Sequence, residues 1–277
     1  MDELTALKVV GLPLVVGFIG WLVSRRCGPK LGAALAGLTV VVSCIVVQGT
    51  VVGWPGFPPR QSLHLLPLLV GSGALLSAVR GRALTLALAV VLALAPAWFL
   101  LDRLPDVEFS TRALWAVATA LILLLLWTPS LAQSTKAIAG PGVLAVVAGG
   151  AAGAAVFSHS VKLAEITGAL AVCLGLIAIL TLWRPHEPIC RGASLAGSVA
   201  LGALLVYGQH FLSMPPLELS LLLAGWATLH TARLRPSKPW TTGRQVRQGL
   251  LAALPVIAAV VIGFLRYTAE QQSNPYY

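Results

Sequence analysis

Residues 31–53 read LGAALAGLTVVVSCIVVQGTVVG, without one charged side chain. Coiled as a helix rising 1.5 Å per residue, such a run crosses the roughly 30 Å hydrocarbon layer of a bilayer. The next residues, GWPGFPPRQSLHLLP at 53–67, end it. Pro55, Pro58 and Pro59 forbid a continuing helix and hold their predecessors extended. Trp54 and Phe57 suit the headgroup layer. Pro67 falls in the first turns of the next apolar run, where it can kink a helix. The pattern predicts a membrane span, then a rigid extended turn with an aromatic anchor. A structured turn of this kind also offers Arg60 and His64 to a pocket at that end of the molecule.

The same alternation runs through the whole chain. Ten apolar runs are long enough to span or nearly so: 5–24, 31–53, 62–79, 83–101, 112–128, 137–157, 163–183, 193–213, 217–232 and 249–267. The fifth and ninth are the shortest. Of 277 residues, 57 % are apolar and 10 % charged, and the mean hydropathy is +0.88. A soluble domain carries about a quarter charged residues, so this chain cannot clothe a water-exposed surface. The fold expected is an all-α integral membrane protein, one polytopic domain of about ten transmembrane helices. The N-terminus, MDELTALKVV, begins acidic, unlike a secretory signal, and the first run is read as a retained span.

Cations fix the expected orientation, because Lys and Arg favour cytoplasmic loops. Alternate connections hold Arg25, Arg26, Lys30, Arg80, Arg82, Lys136, Arg184, Arg191, Arg233, Arg235, Lys238, Arg244 and Arg247, 13 cations in all. The other connections and the two termini hold 6: Lys8, Arg60, Arg103, Arg112, Lys162 and Arg266. Ten spans with both termini outside satisfy this bias. The net charge of +10 is thereby explained without nucleic acid, for which no fold signature is present. Arg outnumbers Lys 14 to 5, a GC-rich bacterial habit, and the expected location is a bacterial inner membrane.

Ten spans raise the question of a five-plus-five inverted repeat, common among secondary transporters. The joining stretches GWPGFPPRQSL and LWRPHEPICRGASL both run Trp, prolines, Arg, then SL, at different spacings. In span count alone the chain resembles small bacterial ten-helix carriers of the drug/metabolite type. Its outward termini depart from their usual orientation, and no motif carries over.

No Asp, Glu, Lys or Arg falls near the middle of a run, so a mid-membrane proton relay is not in view. Polar groups gather instead at the outer ends of spans. Arg60, His64, His159, Lys162, Glu165, Gln209, His210 and Glu218 are the candidate lining of an outward-facing pocket, with Arg60 able to meet Asp102 or Glu218. Polar residues that merely face headgroup water would look the same.

The three outer histidines lack HxxxH or HExxH spacing, and no GxSxG, SxxK or phosphate loop occurs, so no metal, cofactor or enzymatic activity is expected. His186 and Cys190 stand four apart, but Pro185 and Pro188 argue against a regular helix there. The four cysteines lack paired spacing, and no disulfide is expected. Gly149 and Gly153 with their alanines form a small-residue face, and Gly168 and Gly175 of the next span are its expected partners, letting helices approach closely in lipid.

Two functions follow from these observations. One is a carrier or permease for a small solute, an anion among the options. The other is a non-enzymatic assembly component that binds lipid or a membrane protein through its Gly/Ala faces. A membrane enzyme would require His64, His159, Glu165 and His210 to converge.

Overall fold

The computed structural model describes residues 7–54, 71–76, 79, 82–101, 108–131, 139–231 and 242–273. Every regular element among them is helical. A π-helical turn, Leu7–Gly11, leads into α1, Leu12–Arg26. Then come α2 (Pro29–Val51), a helical stretch at 71–76, α3 (Arg82–Leu101), α4 (Phe109–Leu131) and α5 (Gly140–Phe157). The remainder are α6 (Val161–Trp183), α7 (Glu187–Phe211), α8 (Pro216–Thr231) and α9 (Thr242–Ser273).

Seven of the helices are long and apolar enough to cross a bilayer: Leu7–Arg26, Pro29–Val51, Phe109–Thr128, Gly140–Phe157, Val161–Trp183, Glu187–Phe211 and Val246–Ser273. They match seven of the ten runs. The fifth run, short in sequence at 112–128, belongs to a helix of 23 residues. The fourth run, 83–101, forms the 20-residue α3, Arg82–Leu101, and the ninth falls in α8, which has 16 residues. Most of the third run and the turn before it, which is the first of the two joining stretches compared for the repeat, lie outside the described residues.

Prolines that punctuate the sequence become helix starts. Pro13, Pro29, Pro141 and Pro188 each occupy the first turn of their helix, where the missing N–H costs nothing. The expectation for His186 and Cys190 is thereby corrected. His186 is the N-cap of α7 and its carbonyl accepts from Cys190 N at 3.2 Å, so Pro188 opens the helix there. Three buried threonine hydroxyls bond within their own helices, Thr39 to Leu35 O, Thr167 to Leu163 O and Thr181 to Ile177 O, whereas those of Ser24, Thr85 and Ser194 have no partner among the described residues.

The helix α7 is the axis of the bundle, enclosed along 94 % of its apolar length. It packs against α2, α5, α6 and α4. On the α2 side the backbones touch: a Cβ at Gly192 would collide with Ala33 O. On the α4 side, Trp127 Nε1 donates to Ser198 O at 3.1 Å. The α5–α6 pair is closed by a tight turn in which His159 is left-handed (φ 59°) and Ser160 Oγ caps α6 at Leu163 N. The α8–α9 pair packs on α5 and is tied by Gln248 Nε2 to Thr228 O at 2.9 Å.

The small-residue faces are arranged differently from the sequence pattern. Gly168 and Gly175 of α6 do lie against α5, over Ala152 and Ala145 at 4.0 and 3.8 Å. Gly149 does not join that contact: it is exposed, with nothing within 4 Å of its Cβ position. Gly153 faces Val260 of α9 instead, at 3.3 Å. The intimate glycine of α5 is Gly150, whose Cβ would run into Val256 of α9 and approach Leu222 of α8. A 3.6-residue period puts consecutive glycines on faces about 100° apart, so one step along the sequence exchanges lipid for a neighbouring helix.

Contacts also sort the charges. Arg25, Arg26, Lys30, Arg184, Glu187, Arg191 and Arg247 stand at the end that carries the α1–α2 and α6–α7 turns. At the opposite end stand Lys8, Glu108, Arg112, Lys162, Glu165, Glu218, Arg266 and Glu270. One end is basic and the other mixed, which is the asymmetry loops show across a membrane.

Candidate functional site

At the mixed-charge end, α8 divides the candidate residues between two places. Glu218 lies in the first turn of α8 and is 1 % exposed. Its carboxylate faces α9, where Arg266 Nη2 stands 3.4 Å from Oε1. Gly263 makes the approach possible, since a Cβ there would sit 3.2 Å from Glu218 Oε2 and 3.0 Å from the Phe157 ring. Among the described residues neither carboxylate oxygen accepts a hydrogen bond. Arg266 Nε is also 3.8 Å from Glu270 Oε1, one turn along α9. The ring of His159, from the α5–α6 turn, lies tilted at 49° against Tyr267 with centroids 5.5 Å apart, and the side chain reaches Glu270 at 4.0 Å. Phe157 packs against Phe264 and Tyr267 beneath them.

The neighbouring face of α8, about 100° round from Glu218, borders a cavity of about 210 Å³ between α4, α7 and α8. Most of its wall is apolar, with Leu123, Leu223 and Val206 prominent, and Thr119, Gln209 and His210 supply polar groups. His210 is held by Trp115 of α4, stacked at 5.8 Å with 28° between the rings. Two polar atoms at this wall are buried and without a hydrogen-bond partner among the described residues: Gln209 Oε1, an acceptor, and Trp226 Nε1, a donor. Buried polar atoms are satisfied in the great majority of cases, so the orphan donor and the orphan acceptor are exceptions among the residues of this wall.

Of the eight pocket candidates, Gln209 and His210 line this cavity, while Glu218 and His159 belong to the cluster on α9. Lys162 is exposed and Glu165 half-buried on the first turns of α6. Arg60 and His64 lie outside the described residues; Trp54, just before them, is exposed with its ring over Gly49. The pairing considered for Glu218 is made by Arg266. Sequence reading counted Arg266 only as an outer cation and passed over Glu270, Trp115 and Trp226. The i, i+4 spacing of Arg266 and Glu270 was a readable sign of one helix face; nothing in sequence announced the tryptophans.

Among the described residues no group of three or more His, Cys, Asp or Glu is placed to hold a metal. The four cysteines are free thiols, Cys44, Cys173 and Cys190 buried and Cys27 half-buried. Compared with known proteins, the chain matches no family model. No curated protein and no solved structure matches it either.

Proposed function

We propose that this multi-pass membrane protein is a carrier for a small solute, bound in the cavity between α4, α7 and α8. The observation that carries the reading is the unpaired Gln209 acceptor and Trp226 donor at an otherwise apolar void beside His210. Ligand sites have this make-up: an apolar wall with a few polar groups that fix orientation. Among the described residues no Lys, Arg, Asp or Glu lines the wall, so an uncharged solute with an apolar body, one donor and one acceptor fits better than an anion. The positive-inside rule makes the basic end cytoplasmic and the mixed end, with both termini, external. Ten spans in a bacterial inner membrane remain the preferred architecture, and no chemistry on the solute is proposed.

The test uses the full chain in proteoliposomes and a panel of small neutral amphipathic solutes. At least one should accumulate and raise the melting temperature, and Gln209→Leu should weaken that solute about tenfold, the loss of one buried hydrogen bond. If no solute accumulates or stabilises the protein, the carrier reading fails. Retrieval of a defined membrane partner that buries the exposed Gly149 surface would then favour the assembly reading.

A further inference from the structure

A carboxylate enclosed without a hydrogen-bond donor is costly in any protein and more so beside hydrocarbon. Glu218 is in that position, and its countercharge is shared. Arg266, itself 32 % exposed, stands between Glu218 and Glu270. Two carboxylates and one guanidinium carry a net charge of −1 when all are ionised, so the group has room for one proton.

The two carboxylates hold unequal positions. Glu270 is 55 % exposed and keeps its water, whereas Glu218 is packed over Gly263 and Phe157. Burial penalises the charged form most where hydration is lost. A proton on Glu218 removes the enclosed charge, brings the triad to neutrality and leaves Arg266 to Glu270, the i, i+4 partner on its own helix. The guanidinium need only swing at the end of a long side chain whose stem stays packed.

We propose that Glu218 is a proton-binding site switched by Arg266 and Glu270. With the proton off, Arg266 is divided between the two carboxylates. A proton taken from water at the mixed-charge end forms an O–H bond on Glu218, no other covalent bond changes, and Arg266 pairs with Glu270 alone. Among the described residues the charged and titratable surroundings are few. Arg266, Tyr267 and Glu270 face the site from α9, and His159 joins from the α5–α6 turn through Glu270. His210 of α7 and Arg112 of α4 stand at the same end, with His210 on the cavity side of α8. Proton binding is independent of the carrier reading; a role as the coupling site of transport rests on it, with α8 carrying Glu218 and, two turns further on, the cavity-lining Trp226.

The probe is the proton itself. Full-length protein in nanodiscs is titrated from about pH 9 to about pH 4 while the infrared carboxylic-acid C=O band is followed. A band present in the wild type and missing in Glu218→Gln is expected. In Glu270→Gln, the competitor for Arg266 is gone and ionised Glu218 has the whole countercharge, so the midpoint of its band should move to lower pH. Should Glu218→Gln fail to fold, the Glu270→Gln shift decides, since Glu270 is largely exposed. A wild-type spectrum without a buried carboxylic acid, or a midpoint unmoved by Glu270→Gln, overturns the proposal and leaves a fixed ion pair. These outcomes need no solute, so they stand or fall separately from uptake.

Discussion

Along its α2 side, α7 meets its neighbour backbone to backbone: Gly192 lies so close to Ala33 O that no side-chain atom could intervene. Toward α4 and α8, four to five turns later, the same helix leaves about 210 Å³ unfilled beside Val206, Gln209 and His210. Helices in a bilayer are drawn together by close packing, because lipid supplies no hydrophobic drive between them. The first contact uses that force fully and the second forgoes it. One helix is thus a fixed scaffold on one side and the wall of a site on the other. The difference locates where substitutions should destroy the fold and where they should destroy only binding.

The scaffold side should break most severely. Gly192→Ala places a methyl group on the Ala33 carbonyl and forces α2 and α7 apart at the basic end, a loss of about 3 kcal/mol or more. Thermal unfolding of the purified protein in detergent checks it, together with the yield of monodisperse material. A melting temperature equal to wild type would show that this contact is slack and remove the contrast.

The cavity side should answer differently. Val206→Phe directs a ring into the void instead of into packed atoms, so stability should change by no more than about 1 kcal/mol. Solute-dependent stabilisation should disappear with it. The same melting assay, run with and without a solute that stabilises the wild type, reads both numbers. A drop in stability as large as that of Gly192→Ala would mean the cavity is not open to a side chain.

Much of the scaffold was legible because it follows from local rules. A run such as 31–53, without a charge and ended by proline, states a spanning helix in sequence terms alone, and α2 occupies Pro29–Val51. Prolines opened helices where the text showed breaks, as at Pro188. Pairing between helices was less readable. Gly149 and Gly150 are neighbours with the same side chain, yet one faces outward and the other abuts Val256, and only the rotation of α5 against α8 and α9 decides which. The candidate site suffered for the same reason. Gln209, His210 and Glu218 were marked by polarity, but whether a residue at the start of α8 faces α9 or the cavity depends on its rotation. Glu218 therefore read as an interfacial carboxylate, and Gly263 is what lets it be enclosed.

The smallest effect tests the contrast atom by atom. Trp127 and Trp226 are both fully buried; the first spends its N–H on Ser198 O, tying α4 to α7, and the second stands at the cavity with its N–H unspent. Replacing each by Phe trims the same ring and loses similar packing, so the difference between the two losses reports the hydrogen bond. Trp127→Phe leaves Ser198 O without that donor and should cost about 1 kcal/mol more than Trp226→Phe, measured by unfolding in a single detergent. Adding a solute that fills the cavity should narrow the gap, because Trp226 then has a bond to lose. Equal losses without solute would mean the Trp226 N–H already has a partner in the cavity, most simply ordered water, and the site would bind by displacing it.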